Sequence, residues 1–144
     1  MNHIVIAIAC IAAASSSVWA ADTTATRNKR VLLDLSSDTL IDAGEATSVV
    51  GAAIPTSVWK LYPPSKWGFF SQVEGGFTAD KICVVTARVM LAPLTVTNGV
   101  IMRPAKRAMA FDAKPNATRD ECRAIARVKL REATDSVVSS LVKQ

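Results

Sequence analysis

Thr118-Arg119-Asp120-Glu121-Cys122-Arg123-Ala124-Ile125-Ala126-Arg127-Val128-Lys129-Leu130 opens a stretch that runs on to Val142 with no Gly or Pro. Thr118 and Glu121 stand at capping-box spacing. The Thr hydroxyl can accept from one backbone N–H of the first turn while the Glu carboxylate reaches back to another. Pro115 lies just outside, where a helix has not begun. Cys122, Ala126, Leu130, Ala133, Val137 and Leu141 then recur at steps of three and four, so they share one face of a helix over residues 118–142. One apolar stripe of that length needs a surface to cover, and the segments before it supply a sheet.

Strand patterns fill the middle of the chain. Trp67, Phe69, Val73 and Phe77 share one parity, with Gly68, Gln72 and Glu74 on the other, as in a strand with one buried face. Gly75-Gly76 is expected to break it. Residues 82–91 are apolar and β-branched enough for a strand covered on both faces. Asn98-Gly99, between Leu94–Thr97 and Val100–Met102, has the composition of a tight hairpin turn, because both residue types tolerate positive φ. The return strand is expected to reach about Phe111. Pro93 and Pro104 flank the hairpin, so its tip should bend away from the sheet or lie on an edge. Val58-Trp59-Lys60-Leu61-Tyr62 reads as a further strand before the turn Pro63-Pro64-Ser65-Lys66. Upstream, Arg30–Leu35 reads as a short strand. A helix is expected over about 39–53, capped by Ser37 or Asp38 and ended by Pro55.

The predicted fold class is therefore α+β. An antiparallel sheet of about four strands, built from meander and hairpins, packs against a long C-terminal helix and an N-terminal helix. Cys83 and Cys122 are the only cysteines after residue 20. In an exported chain two cysteines read as one disulfide, here closing a loop of about 40 residues worth roughly 4 kcal/mol in the chain-entropy model. A redox-active pair is the competing reading. The wide spacing, unlike CxxC, favours the structural one.

Export is read from residues 1–20, which contain no Lys, Arg, Asp or Glu. The apolar run Ile4–Ala14 is followed by Ser15-Ser16-Ser17-Val18-Trp19-Ala20, with small residues at the cut-site positions. This layout predicts a signal peptide cleaved after Ala20, a flexible tail over 21–29 and a single domain over 30–144 in the periplasm or secreted. The run is too short to span a bilayer, so no transmembrane anchor is expected in the mature chain. Lipidation at Cys10 is disfavoured, because the apolar run continues past it.

Composition excludes several chemistries. The one histidine, His3, lies in the signal, so the mature chain has no imidazole for Ser-His-Asp, Cys-His or HExxH catalysis. No P-loop, GxGxxG or calcium loop occurs. No catalytic residue, metal or cofactor is therefore expected, and the chain is read as a non-enzyme. A histidine-free hydrolase would need carboxylates such as Asp34, Asp38, Glu74 or Asp112 to converge in a cleft.

Charge is unevenly placed along a chain of net +5. Residues 31–80 hold six acids against Lys60 and Lys66, whereas residues 88–131 hold ten bases against three acids. Arg119, Arg123, Arg127 and Arg131, four apart, form one ridge on the closing helix. Its first members oppose the helix dipole and its neighbours repel one another. Arg103, Lys106 and Arg107 add to the basic segment. Trp59, Tyr62 and Trp67 gather round the Pro-Pro turn, where they form either core or a recognition surface. Asn116-Ala117-Thr118 matches a glycosylation acceptor and serves equally as a helix entry.

These ten residues are the candidate binding set for a small exported protein acting on another envelope protein, as an inhibitor, immunity factor or assembly accessory. The second reading is a binder of envelope polyanion or of an anionic lipid surface through the basic helix face. Nucleic acid comes third, because the chain is exported.

Overall fold

The computed structural model describes residues 31–37, 39–97, 99–101 and 103–142. The signal and tail segments lie outside these, as do Asp38, Asn98 and Met102. The elements run β1 (Val31–Asp34), α1 (Ala43–Ala53), α2 (Thr56–Leu61), β2 (Trp67–Phe77), β3 (Ile82–Pro93), β4 (Lys106–Pro115) and α3 (Arg119–Val142). The four strands form one sheet in the order β1-β2-β3-β4. β2, β3 and β4 are an antiparallel meander, and β1 joins the β2 edge in parallel, so the sheet is mixed. That parallel pairing follows from the crossover, because α1 and α2 carry the chain back before β2 begins.

The closing helix meets the expectation drawn from its stripe. Cys122, Ala126, Leu130, Ala133, Val137 and Leu141 are all buried, and they meet Val85, Ala87, Val89 and Leu91 of β3 in the main core. Both halves of the capping box form. The Glu121 N–H donates to Thr118 Oγ1 at 3.2 Å, and the Thr118 N–H donates to Glu121 Oε2 at 2.7 Å. The Cys83–Cys122 disulfide joins the first turns of α3 to the start of β3, with Cα atoms 5.8 Å apart and both residues fully buried.

Several local expectations are corrected. Residues 56–61 are helix, not strand. A strand would send Val58 and Trp59 to opposite faces, whereas both are buried in one core, which a helix turn allows. The N-terminal helix starts later than expected and is capped by Asp42, whose side chain accepts from the Glu45 N–H at 2.8 Å. Ile41, just outside that cap, and Ala46, one turn in, are both buried, as in a hydrophobic staple.

Gly75-Gly76 does not break β2, which runs on through Phe77. Both glycines have positive φ, 145° and 154°, and pairing continues to Phe77↔Cys83. Phe77, following directly, is left 46% exposed instead of buried.

The hairpin at Asn98-Gly99 is wider than a two-residue turn. Leu94 and Val100 form an isolated bridge, and the Thr95 N–H donates to the Gly99 carbonyl at 2.7 Å. The chain then makes a further excursion before β4 starts at Lys106 and runs past Phe111 to Pro115.

The helices cover one face of the sheet. On the other face Phe70, Met90, Ala92 and Leu94 form a second cluster, with Val31 and Val100 packed on it. Only this end of β3 is covered on both sides. Val84 and Thr86 are half-exposed there, and Arg88 is exposed.

Two substitutions probe this architecture. A Cβ on Gly75 would stand 2.0 Å from the Val84 carbonyl oxygen. Gly75→Ala is thus expected to cost about 2–3 kcal/mol in chemical denaturation, whereas Gly76→Ala, with nothing within 4 Å, should cost less. Joint Cys83→Ala/Cys122→Ala is expected to lower unfolding free energy by about 4 kcal/mol. An unchanged denaturation midpoint would contradict the assignment of the bridge as the fastener of α3.

Candidate functional site

The structure divides the predicted basic surface into two parts at opposite ends of the sheet. The ridge on α3 begins beside the Cys83 end. Arg103, Lys106 and Arg107 lie at the other end, where Leu91 pairs with Lys106 and Met90 with Arg107.

Half of the ridge is internally neutralised. Arg127 Nε bonds Glu45 of α1, and Arg131 Nε reaches both carboxylate oxygens of Asp135 at 3.1 Å. Lys129, beside them, is held by Glu132 at 2.8 Å and Asp112 at 3.5 Å. Hydrogen bonding to Glu132 is the main cause that raises its pKa, with lesser help from the Asp112 charge. Arg119 is exposed and Arg123 half-exposed, and neither forms an ion pair with a described residue. The acidic N-terminal half thus folds against the helix through α1, which offsets the repulsion along the ridge.

The aromatic set is mainly core. Trp59 is 8% exposed and meets Phe69 edge-on, with ring centroids 5.3 Å apart. It offers almost no surface, which corrects its place in the binding set. Tyr62 and Trp67 are half-buried and pack edge-to-face at 5.4 Å. Phe70 is buried on the opposite side of the sheet.

Asp34, Glu74 and Asp112 do not converge. Asp34 Oδ1 accepts from the Ser71 hydroxyl at 2.5 Å and from the Ser36 hydroxyl at 2.8 Å. Glu74 accepts from Gln72 Nε2 at 2.6 Å, two residues back along β2. Asp112 lies under α3, beside Lys129. Asp38 is outside the described residues. Among the described residues no three His, Cys, Asp or Glu side chains come together as a metal site, and no helix is long and apolar enough to cross a membrane.

The surface that sequence reasoning missed is the helix-free face of the sheet. Met109 and Phe111 alternate on β4, each 60% exposed, and Leu33 on β1 is 45% exposed. The register sets Met109 opposite Arg88 and Arg107 opposite Met90. A cleft of about 620 Å³ opens here, lined by Arg88, Met90, Pro104, Arg107, Ala108 and Met109. The signal was present as the alternation Arg107-Met109-Phe111, but a strand's parity alone does not say which face the helices cover.

No protein-family model matches the sequence, and no curated protein matches it. Solved structures give partial likenesses. One is the PelC dodecamer from Paraburkholderia phytofirmans, 12% identical over 82% of this chain and 91% of that one, with a TM-score of 0.44. Another is protein XCC0632 from Xanthomonas campestris, of family DUF330, 14% identical over 78% and 83% of the two chains, with a TM-score of 0.38. At such overlap no property of those proteins passes to the surfaces described here.

The α3 cap has a pH signature. Glu121 is held down from 4.5 to about 2, first by its hydrogen bond from the Lys114 ammonium, 2.7 Å away, then by the Thr118 N–H and hydroxyl. The folded value lies below the unfolded one, so the stabilisation is complete above about pH 4.5 and is lost as pH falls toward about 2. Glu121→Gln is expected to unfold more easily at neutral pH, with the gap to the parent closing through that window. A gap of constant size in acid titration would refute the assignment.

Proposed function

We propose that this chain is an exported, non-enzymatic binding protein whose partner is another protein of the envelope, held on the helix-free face of the sheet. Export rests on the signal-like segment 1–20 and accords with the Cys83–Cys122 disulfide, a bond of oxidising compartments. The observation that carries the reading is the pair of exposed Met109 and Phe111 on β4, on a face without a helix, with exposed Leu33 on β1 at the opposite edge of that face. An antiparallel sheet with one solvated face ordinarily turns polar side chains outward. Here Met109 and Phe111 take those positions on β4, with Arg88 and Arg107 beside them, and Leu33 takes one on the far edge strand.

That pattern suits a partner with an apolar centre edged by carboxylates. Burial of Met109 and Phe111 supplies affinity, and the two arginines set register and exclude cationic surfaces. The basic ridge on α3 is the weaker candidate, because Arg127 and Arg131 already have partners.

The experiment is capture from envelope extract with the processed, oxidised protein at low and high salt. One stoichiometric protein partner that survives high salt is expected. Joint Met109→Asp/Phe111→Asp should lose it, with binding weakened by about 100-fold, while Arg119→Gln/Arg123→Gln should retain it. Retention by the Met109/Phe111 variant would overturn the assignment of this face. Intact mass of the exported chain should correspond to a start at Ala21.

A further inference from the structure

We propose that the end of the domain carrying Lys60, Lys66, Arg103, Lys106 and Arg107 seats on an anionic lipid surface. The register gathers these residues. Trp67 at the start of β2 pairs with Pro93 at the end of β3, and Lys106 at the start of β4 pairs with Leu91. The Lys66 carbonyl accepts the Leu94 N–H at 2.8 Å, and Lys60 lies one turn earlier, in the last turn of α2.

Among the described residues no carboxylate forms an ion pair with these five cations. Residues 46–73 and 81–111 contain no Asp or Glu at all. The nearest acids on the second half of α3, Glu132 and Asp135, are taken by Lys129 and Arg131. The opposite end is balanced, with Glu74, Asp80, Asp112, Asp120 and Glu121 set against Lys81, Lys114, Arg119 and Arg123. The long axis of the domain is therefore polarised, and a negative plane would orient it basic end first.

Charge alone would suit any polyanion. The second observation selects a bilayer. Val96, in the loop that projects from this end, is 96% exposed, and Leu61 and Ile101 beside the cations are 60% and 43% exposed. A soluble polyanion has no apolar phase in which to bury them. A bilayer interface takes apolar side chains just below the headgroups while lysines and arginines meet the phosphates. β1 also begins at this end, because Val31 pairs with Gly68.

The test is co-sedimentation of the processed protein with phosphatidylglycerol–phosphatidylcholine vesicles, with phosphatidylcholine vesicles and dextran sulfate resin as further arms. Binding is expected only where phosphatidylglycerol is present, and it should fall with salt. The variant Lys66→Gln/Arg103→Gln/Lys106→Gln/Arg107→Gln should bind about 100-fold more weakly, with its thermal melt unchanged. Val96→Ser should weaken vesicle binding by about 10-fold while its retention on dextran sulfate stays the same. Arg119→Gln/Arg123→Gln and Met109→Ser/Phe111→Ser should bind vesicles like the parent, which keeps this result separate from that of the sheet face. Equal binding to phosphatidylcholine vesicles, equal loss in the Arg119/Arg123 variant, or no effect of Val96→Ser would each overturn the proposal. The last of these would assign the same cations to a soluble polyanion.

Discussion

Cys83 and Cys122 stand where the first paired residue of the central antiparallel ladder meets the first turn of the long helix, and their bond sets the register between the two layers. Once Cys122 is fixed over Cys83, the apolar stripe of α3 has one way to lie along β3. Leu130 and Val137 then fall into the core, and Lys129 comes to rest over Asp112. The capping box acts at the same place. It supplies partners for backbone donors at the terminus of the helix that the disulfide fastens to the sheet. Loss of the bond would leave both layers intact as elements but would let them slide.

The placement of charge follows from that register. Arg127 reaches Glu45 only because α1 packs beside α3 on the same side of the sheet. Glu45 of the acidic first half is thus engaged in holding the helix layer together. What is left over is uneven: among the described residues a balanced end near the disulfide, a cationic end at the far tip, and exposed Met109 and Phe111 on the face the helices do not cover. Most of these pairs are exposed and contribute little to stability one by one. Their consequence is geometric, since they decide which cations remain unpaired among the described residues.

The long helix was legible in the sequence down to its cap, because its information is local: a four-residue box, a stripe of constant period and no breaker. The pairing of Cys83 with Cys122 was legible by elimination. Trp67, Phe69 and Val73 kept the parity of a half-buried strand. Residues 56–61 were not legible, because β-branched and aromatic residues favour strands on their own, and only the shared core of Val58 and Trp59 makes helix the better solution. The cap at Asp42 was missed in favour of residues further upstream, since Leu40 and Ile41 look like helix interior until they are seen buried just outside it. The exposed row of Met109 and Phe111 depends on which side of the sheet α3 chooses. That is a tertiary fact with no local signature. The same holds for the separation of Arg103, Lys106 and Arg107 from the α3 ridge, which are near in sequence and far apart along the sheet.

The short parallel strand β1 has a mechanical consequence. It holds the sheet edge over only four residues, Val31–Asp34, and it lies alongside β2 with its first residue at the cationic tip. A force drawing the chain out at Val31 acts along the strand axis, so it loads the four pairs together in shear and does not peel them one at a time. A domain tethered by its N-terminal segment would bear such a load as one unit up to the point where β1 slips. Beyond that point the meander, the helices and the disulfide remain, and the exposed β2 edge becomes a new place for another strand to add.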